Sequence, residues 1–446
     1  MKSKIFISIF FLFPFFKIFA QTNWQEIDAF LEKQMQIWHI PNISIAITTN
    51  DSIIYMKEFG DDKSKGNYLI GSVSKSFTAI AIMQLVEQGK INLDDPVKKH
   101  LIWFETSNKN ITDKITVRHL LNQTSGLPKK AGFFTPKSPN QTEIEIAYKN
   151  YLLSLNIDEL AIGKQHIYCN LNYQLLGQII QKISGLKYGT YVDTYIFQPC
   201  DMKNTFATYE EASSFGLKNG YQYLFGYAMK RSFQYTDNGI SAGDISSNSE
   251  DLSKFMQVLL RNGQINTKKL LAESTLKQMQ TPFSNRYGMG FSIGDWNGLH
   301  SIRHSGLTKN YSCAINILPE QNYGIVILTN INSFYAVRNL MDGVIIRLSK
   351  QQKIGYIPYE IYFRYAILVL FLWGVIEFLL RLNNWRKLKF ATKISHNKKD
   401  IFLLFITILM AFSWWFTIPY FMEIPLLAMP ILQPDLGYTL FIGAII

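Results

Sequence analysis

Residues 70–79 read IGSVSKSFTA. They set Ser72 three residues before Lys75, at the mouth of an apolar run with helical spacing. Residues three apart share a helix face. A serine in the first turn feels the positive end of the helix, which favours a developing alkoxide. A lysine shielded from water has a lowered pKa and can accept or relay the serine proton. The spacing alone is weak evidence, because S-x-x-K also occurs at Ser184/Lys187, Ser274/Lys277 and Ser395/Lys398. Only Ser72 follows a β-like stretch (NYLIG, residues 67–71) and opens an apolar helix. Ser184 closes a helix before Gly185, Ser274 lies in an amphipathic surface helix, and Ser395 lies in a basic loop.

Outward from this stretch, the helix that starts near Ser72 is stopped by Gly89. Before it, ISIAITTNDSIIYMKEF sets apolar β-formers on either side of Asn50-Asp51, which predicts a hairpin. Residues 90–165 mix short helices and polar loops. Helices are predicted over 172–184, ended by Gly185, and over 248–263, capped by Asn248 or Ser249 and stopped by Gly263. Residues 312–330 read as two strands joined by Pro-Glu-Gln-Asn, and 334–349 as a closing helix. Strands at both ends with helices between them argue an α+β fold with one sheet assembled from distant pieces.

The chain has 446 residues, enough for a large core. Its apolar residues concentrate at both ends. Residues 1–20 read as a signal peptide: Lys2 and Lys4 open it, residues 5–16 are apolar, and Ala20 precedes a cut at Gln21. Cys169, Cys200 and Cys313 are too few and too sparse for a disulfide framework. The formal net charge is +12, but three of the lysines sit in the leader and seven Lys/Arg crowd residues 381–400. No basic stripe remains between them, which argues against nucleic acid and marks membrane topology instead. Two apolar runs flank that basic segment. The reading is therefore a leader (1–20), an exported domain (21–360), a transmembrane helix (361–381), a basic cytoplasmic loop (382–400), a second span (401–421) and a short apolar segment (436–446) that is too short to span alone and reads as either an incomplete span or an interfacial segment.

A rival nucleophile pattern, G-x-S-x-G, occurs at Gly239–Gly243 and Gly290–Gly294. That elbow needs a buried strand before the serine and a helix after it. The stretch before Ser241 is too polar and the one after Ser292 is a turn, so both read as glycine turns beside the site. His39, His100, His119, His166, His300 and His396 have no metal-binding spacing, and His119 reads as a packing or capping residue.

Five segments occur in order: FTAIAIMQLVEQGKINLDDPVKKHL (77–101), ITVRHLLNQTSGLP (115–128), YCNLNYQLLGQII (168–180), AGDISSNSEDLSKFM (242–256) and RHSGL (303–307). Together they resemble the serine β-lactamase-related family, which includes class C β-lactamases, D-alanyl-D-alanine carboxypeptidases and related esterases. The resemblance covers about residues 25–350. It implies a β-lactamase/transpeptidase-like fold: an antiparallel sheet flanked by helices plus a helical subdomain.

By the same resemblance Ser72 is the nucleophile and Lys75 its motif lysine. Tyr168 is the general base, its pKa lowered by Lys75, and Asn170 orients the substrate amide. A second Y-x-N at Tyr148 lacks the helix that follows and reads as part of a surface helix. His304, Ser305 and Gly306 stand where the family usually has K-T-G. The strand edge there binds substrate, and the Leu307 and Ser72 amides form the oxyanion hole. A histidine at 304 is mostly neutral near pH 7, which weakens the case for efficient β-lactam hydrolysis. Gln123 replaces a histidine common among relatives and reads as structural. Cys169 reads as a small side chain turned from the cleft.

The expectation is a serine hydrolase, membrane-tethered on the outer side, with no metal or cofactor. Its partners are a small-molecule or peptide substrate of cell-wall type and the lipid bilayer. The alternative is a catalytically weak β-lactam or wall-fragment sensing module on the same fold.

Overall fold

The computed structural model describes residues 23–388, apart from positions 61, 63–65, 234, 266, 284–286, 297 and 352–356. The expected leader, the second span at 401–421 and the segment 436–446 lie outside the described residues, as does the basic loop beyond residue 388.

A six-stranded antiparallel sheet forms the frame. Helix α1 (Trp24–Ile37) leads into strands β1 (Asn42–Thr48) and β2 (Ile53–Gly60), the predicted hairpin. A second hairpin, β3 (Tyr221–Leu224) and β4 (Tyr227–Lys230), stands apart from the sheet. The C-terminal part supplies β5 (Ser292–Trp296), β6 (Leu299–Leu307), β7 (Ser312–Leu318) and β8 (Tyr323–Thr329). The sheet order is β2-β1-β8-β7-β6-β5. Ile45 pairs with Ile327, so the first and last strands meet in the middle. β1 and β8 are buried on both faces, so the pair is covered on each side even though β1 is apolar on only one of them.

The helices α2 (Ser74–Glu87), α3 (Gln141–Ser154), α4 (Asn170–Ser184) and α5 (Ser249–Leu260) lie between the two halves of the sheet in sequence. On one face Ile43, Ile45 and Ile47 pack with α1 and with α6 (Phe334–Leu348). Those two helices approach closely, since a Cβ at Gly343 would lie 2.0 Å from the Phe30 ring. The other face, with Val326 and Leu328 of β8, packs against α5 and the helical lobe. α2 is buried on every side, including Phe77, Ile80, Ala81 and Met83 at 0% exposure. A helix apolar all round belongs in the middle of a core.

Two expectations change. Tyr148 does lie on a helix, α3, but not on its surface: it is fully buried and stacks on Trp103 with centroids 5.9 Å apart. The expected transmembrane helix at 361–381 falls on α7 (Tyr359–Leu388). Among the described residues no helix is long and apolar enough to cross a membrane. The opening turns of α7 belong to the domain instead. Ile361, Arg364 and Ile367 are buried, Arg364 pairs with Glu360 at 2.7 Å, and Glu360 accepts a hydrogen bond from Ser333.

Candidate active site

Ser72 lies in a 3-10 turn, Gly71–Val73, that leads directly into α2. The turn is locked from behind: Ser74 Oγ donates to the Gly71 carbonyl at 2.8 Å and accepts from the Ile245 amide at 3.2 Å. Gly71 has φ +55°, and a Cβ there would lie 2.4 Å from the Leu307 nitrogen. A Cβ at Gly306 would lie 1.8 Å from the Ile70 carbonyl oxygen. Both positions need glycine because two backbones touch here with nothing between them. The contact sets the Leu307 amide beside the serine turn. β5 pairs with β6 only as far as Arg303, so the strand edge from His304 onward has no partner in β5.

Lys75 is fully buried one turn into α2. Its Nζ lies 3.0 Å from Ser72 Oγ, 2.7 Å from Asn170 Oδ1 and 2.5 Å from the Ala242 carbonyl. The Tyr168 and Tyr173 rings stand 5.0 and 5.6 Å away. Burial lowers the lysine pKa to about 7, while Cys169 and Asp244 push the other way. The Cys169 thiol is itself pushed up to about 11 by burial, so at neutral pH it is uncharged and Asp244 is the effective opponent. The geometry then assigns the proton positions. Asn170 Oδ1 and the Ala242 carbonyl can only accept, so they take two N–H bonds. In the neutral amine the remaining direction, toward Ser72, is the lone pair, which can take the serine proton.

Tyr168 shares a hydrogen bond with Ser72, but burial pushes its phenol well above the ordinary value, against the lowering effect of that bond. The implied lowering of the Tyr168 pKa by Lys75 is therefore corrected: the phenol is protonated at rest, because desolvation outweighs the single bond that stabilises its anion. Asn170 is the first residue of α4 and turns its oxygen to Lys75, which leaves its amide N–H groups for a substrate carbonyl. His304 is buried, with Nδ1 2.8 Å from the Ser305 carbonyl and Nε2 3.2 Å from the Tyr287 hydroxyl. A carbonyl only accepts, so Nδ1 carries the hydrogen and Nε2 accepts from Tyr287. Burial, and secondarily Lys75, lowers its pKa to about 3, so His304 is neutral throughout the working range.

The β-lactamase family model matches residues 27–347, and that span contains every residue of this cluster. The chain belongs to the β-lactamase family. Protein flp of Staphylococcus aureus (strain MW2) is 32% identical over 329 residues, 70% of this chain and 64% of that protein. The chain thus spans 64% of the length of that curated relative. Penicillin-binding protein 4* of Bacillus subtilis (strain 168) is 26% identical over 320 residues, covering 66% of this chain and 68% of its own. Among solved structures, the octameric penicillin-binding protein homologue from Pyrococcus abyssi aligns with TM-score 0.63 and 26% identity over 74% of this chain and 78% of its own. A D-stereospecific amidohydrolase from Streptomyces sp. shares the fold, with TM-score 0.56 and 23% identity over 70% and 97% of the two chains.

Within this β-lactamase-family site the seven residues singled out in the sequence converge: Ser72, Lys75, Tyr168, Asn170, His304, Gly306 and Leu307. Gln123, at φ +60°, is structural as read. Its Oε1 accepts from the Cys169 amide at 3.0 Å and from Asn172 at 2.6 Å, which pins the Tyr168 loop. His119 caps its helix with Thr116, and Cys169 is buried in the core. The two rival serines are accounted for. The Ser241 carbonyl accepts from Thr78, and a Cβ at Gly290 would lie 2.8 Å from Ala79, so both segments pack against α2, although Ser292 and Gly294 belong to strand β5 and not to the expected turn.

Sequence reasoning missed three contributors. Ala242 acts through its carbonyl, which no side-chain motif can reveal. Asp244, in the same AGDIS stretch, has its carboxyl pushed up to about 6 by burial against the pull of Lys309 and Lys75. Tyr287 orients His304 and meets the Tyr168 ring edge-on at 6.2 Å, from an isolated bridge to Ser292 with no recognisable spacing.

Proposed function

We infer that the protein is an exported serine hydrolase that acts through an acyl-enzyme on Ser72. The observation that carries this reading is the buried Lys75 amine, 3.0 Å from Ser72 Oγ with its two other hydrogen-bond directions taken by obligate acceptors. Neutral Lys75 accepts the serine proton as Oγ attacks the substrate carbonyl. The Ser72 and Leu307 amides receive the oxyanion. The protonated Tyr168, bonded to Ser72, is placed to hand a proton to the leaving group and to be restored through Lys75. Water then releases the acyl group by the reverse relay.

The substrate class is an amide or ester such as a D-amino-acid peptide of the cell wall or a small ester. The names of the relatives, a penicillin-binding protein and penicillin-binding protein homologue, support a ligand of that kind. A neutral His304 supplies no cation for a substrate carboxylate, which favours esters and amides without one. It also favours slow β-lactam turnover, so a β-lactam or wall-fragment sensing role is the second reading. The tail of the chain supports membrane tethering with the catalytic domain on the outer side: the uncharged run at 401–421 follows a basic segment.

The test is labelling of the purified full chain by a fluorophosphonate or fluorescent penicillin, with ester and D-Ala-D-Ala peptide turnover measured beside it. Ser72→Ala should abolish labelling and lower turnover by about 10⁴–10⁶-fold, the scale for removing the nucleophile of a concerted unit. Ser241→Ala and Ser292→Ala should keep it. Full labelling of Ser72→Ala would refute the assignment.

A further inference from the structure

The β3–β4 hairpin has a turn at odds with its residues. Leu224 pairs with Tyr227, so the loop is only Phe225-Gly226, and both have positive φ, +53° and +87°. This is the type I′ arrangement, which favours Asn-Gly because a bulky side chain is strained at the first position. A phenylalanine held there against its preference calls for a function at the tip. The hairpin faces α7. The Phe225 and Phe371 rings are 5.3 Å apart, the Tyr227 and Tyr365 rings 6.0 Å, and Gly226 packs on Tyr365. His39 stacks on Tyr227 at 5.3 Å and its Nδ1 lies 2.7 Å from the Gly226 carbonyl, so the tip is braced rather than loose.

Around this brace the domain exposes large apolar groups: Tyr227, Met229, Tyr335, Tyr359 and Tyr362 are each 47–71% exposed. The hydroxyl-bearing aromatics are of the type that settles at a membrane–water interface, apolar body inward and polar tip toward water. Lys230 and Arg231 follow Met229 and can reach anionic headgroups. The patch is continuous with α7, whose exposed face beyond it carries Val369, Leu372 and Trp373. We propose that the β3–β4 hairpin tip and the opening turns of α7 form one rigid foot that rests in the interfacial layer of a phospholipid bilayer and fixes the catalytic domain against it. This rests on the membrane reading of the protein. The domain does not swing on a loose tether, because the buried Arg364, paired with Glu360, and the buried Ile361 join α7 to it.

The test uses the full chain in vesicles of phosphatidylcholine and phosphatidylglycerol, with an environment-sensitive nitrobenzoxadiazole dye on a single introduced cysteine. The native cysteines are buried and leave little background. Phe225→Cys and Met229→Cys should give blue-shifted emission that is quenched by lipids carrying a spin label near the headgroup. Lys90→Cys, exposed on the helical lobe, should give neither. Phe225→Asn suits the turn better and should leave the fold intact, yet it should reduce quenching of the dye at 229. Flotation with the vesicles without quenching at 225 and 229 would overturn the foot and leave the membrane reading standing. A blue shift without lipid quenching would point to a second protein chain and also overturn it. Failure to float at all would overturn both.

Discussion

At the residue scale the site turns on Lys75. Full burial strips water from the ammonium and brings its pKa from the ordinary 10.5 to about 7. The neutral amine is the form that accepts the Ser72 proton, so kcat/KM should rise through pH about 7 and level off above it. Asp244 opposes that lowering, and its own carboxyl titrates near 6, so it is charged where Lys75 titrates. Removing its charge lowers the lysine pKa further. Asp244→Asn should therefore move the acid limb of the kcat/KM profile to lower pH while leaving the plateau nearly unchanged. A shift to higher pH, or none, would contradict the assignment of that limb to Lys75. His304 has the opposite character: burial keeps it neutral across this range, so it adds no limb of its own.

At the scale of elements the decisive contact is the 3-10 turn that leads into α2 against the end of β6. A helix and a strand seldom approach backbone to backbone, and here Gly71 and Gly306 make it possible. Gly306→Ala would push the strand end away from the serine turn and open the amide pair. The expected result is an acylation rate about 10²–10³-fold lower, the scale of losing one oxyanion donor, with the thermal midpoint moved far less in proportion. Gly185 offers the control. It ends α4 in the left-handed region with open space around it, so Gly185→Asn should leave acylation as it is. Stopped-flow measurement of penicillin or fluorophosphonate labelling separates the two. Elements of this kind were legible where their period is strong. The β1–β2 hairpin, the β7–β8 pair and α4 to α6 fall where alternation and caps place them, within about three residues. Tyr148 was misplaced because α3 carries apolar groups on more than one side, and a local pattern does not say which side meets a neighbour.

At the scale of the whole molecule the opening turns of α7 pack on the folded domain. If the basic segment stays inside and the domain outside, a cysteine introduced at Ser395 should resist a membrane-impermeant maleimide in intact cells. One at Ser213, exposed on the domain, should react. Ready labelling at 395 would sink that topology. The helix boundary itself could not be read from hydropathy. Residues 361–367 are apolar enough to count toward a span, yet Ile361 and Ile367 are buried in the domain, and the buried Arg364 is neutralised by Glu360 four residues earlier.

The amino-acid sequence by itself determined the family, the candidate nucleophile and the order of the elements. Each depends on local periodicity or on short motifs whose spacing survives in one dimension: Ser72 to Lys75 is one helical turn, and Tyr168 to Asn170 is the short stretch that leads into α4. Tertiary structure alone decided what those groups are like as chemistry. The Lys75 pKa depends on water being excluded by residues as distant as Ala242 and Tyr173. The Tyr168 phenol stays protonated because burial outweighs its bond to Ser72. His304 takes one tautomer because a backbone carbonyl and Tyr287 hold its two nitrogens. Desolvation and hydrogen-bond direction are properties of packed neighbours, and neighbours a hundred residues apart leave no period in a sequence.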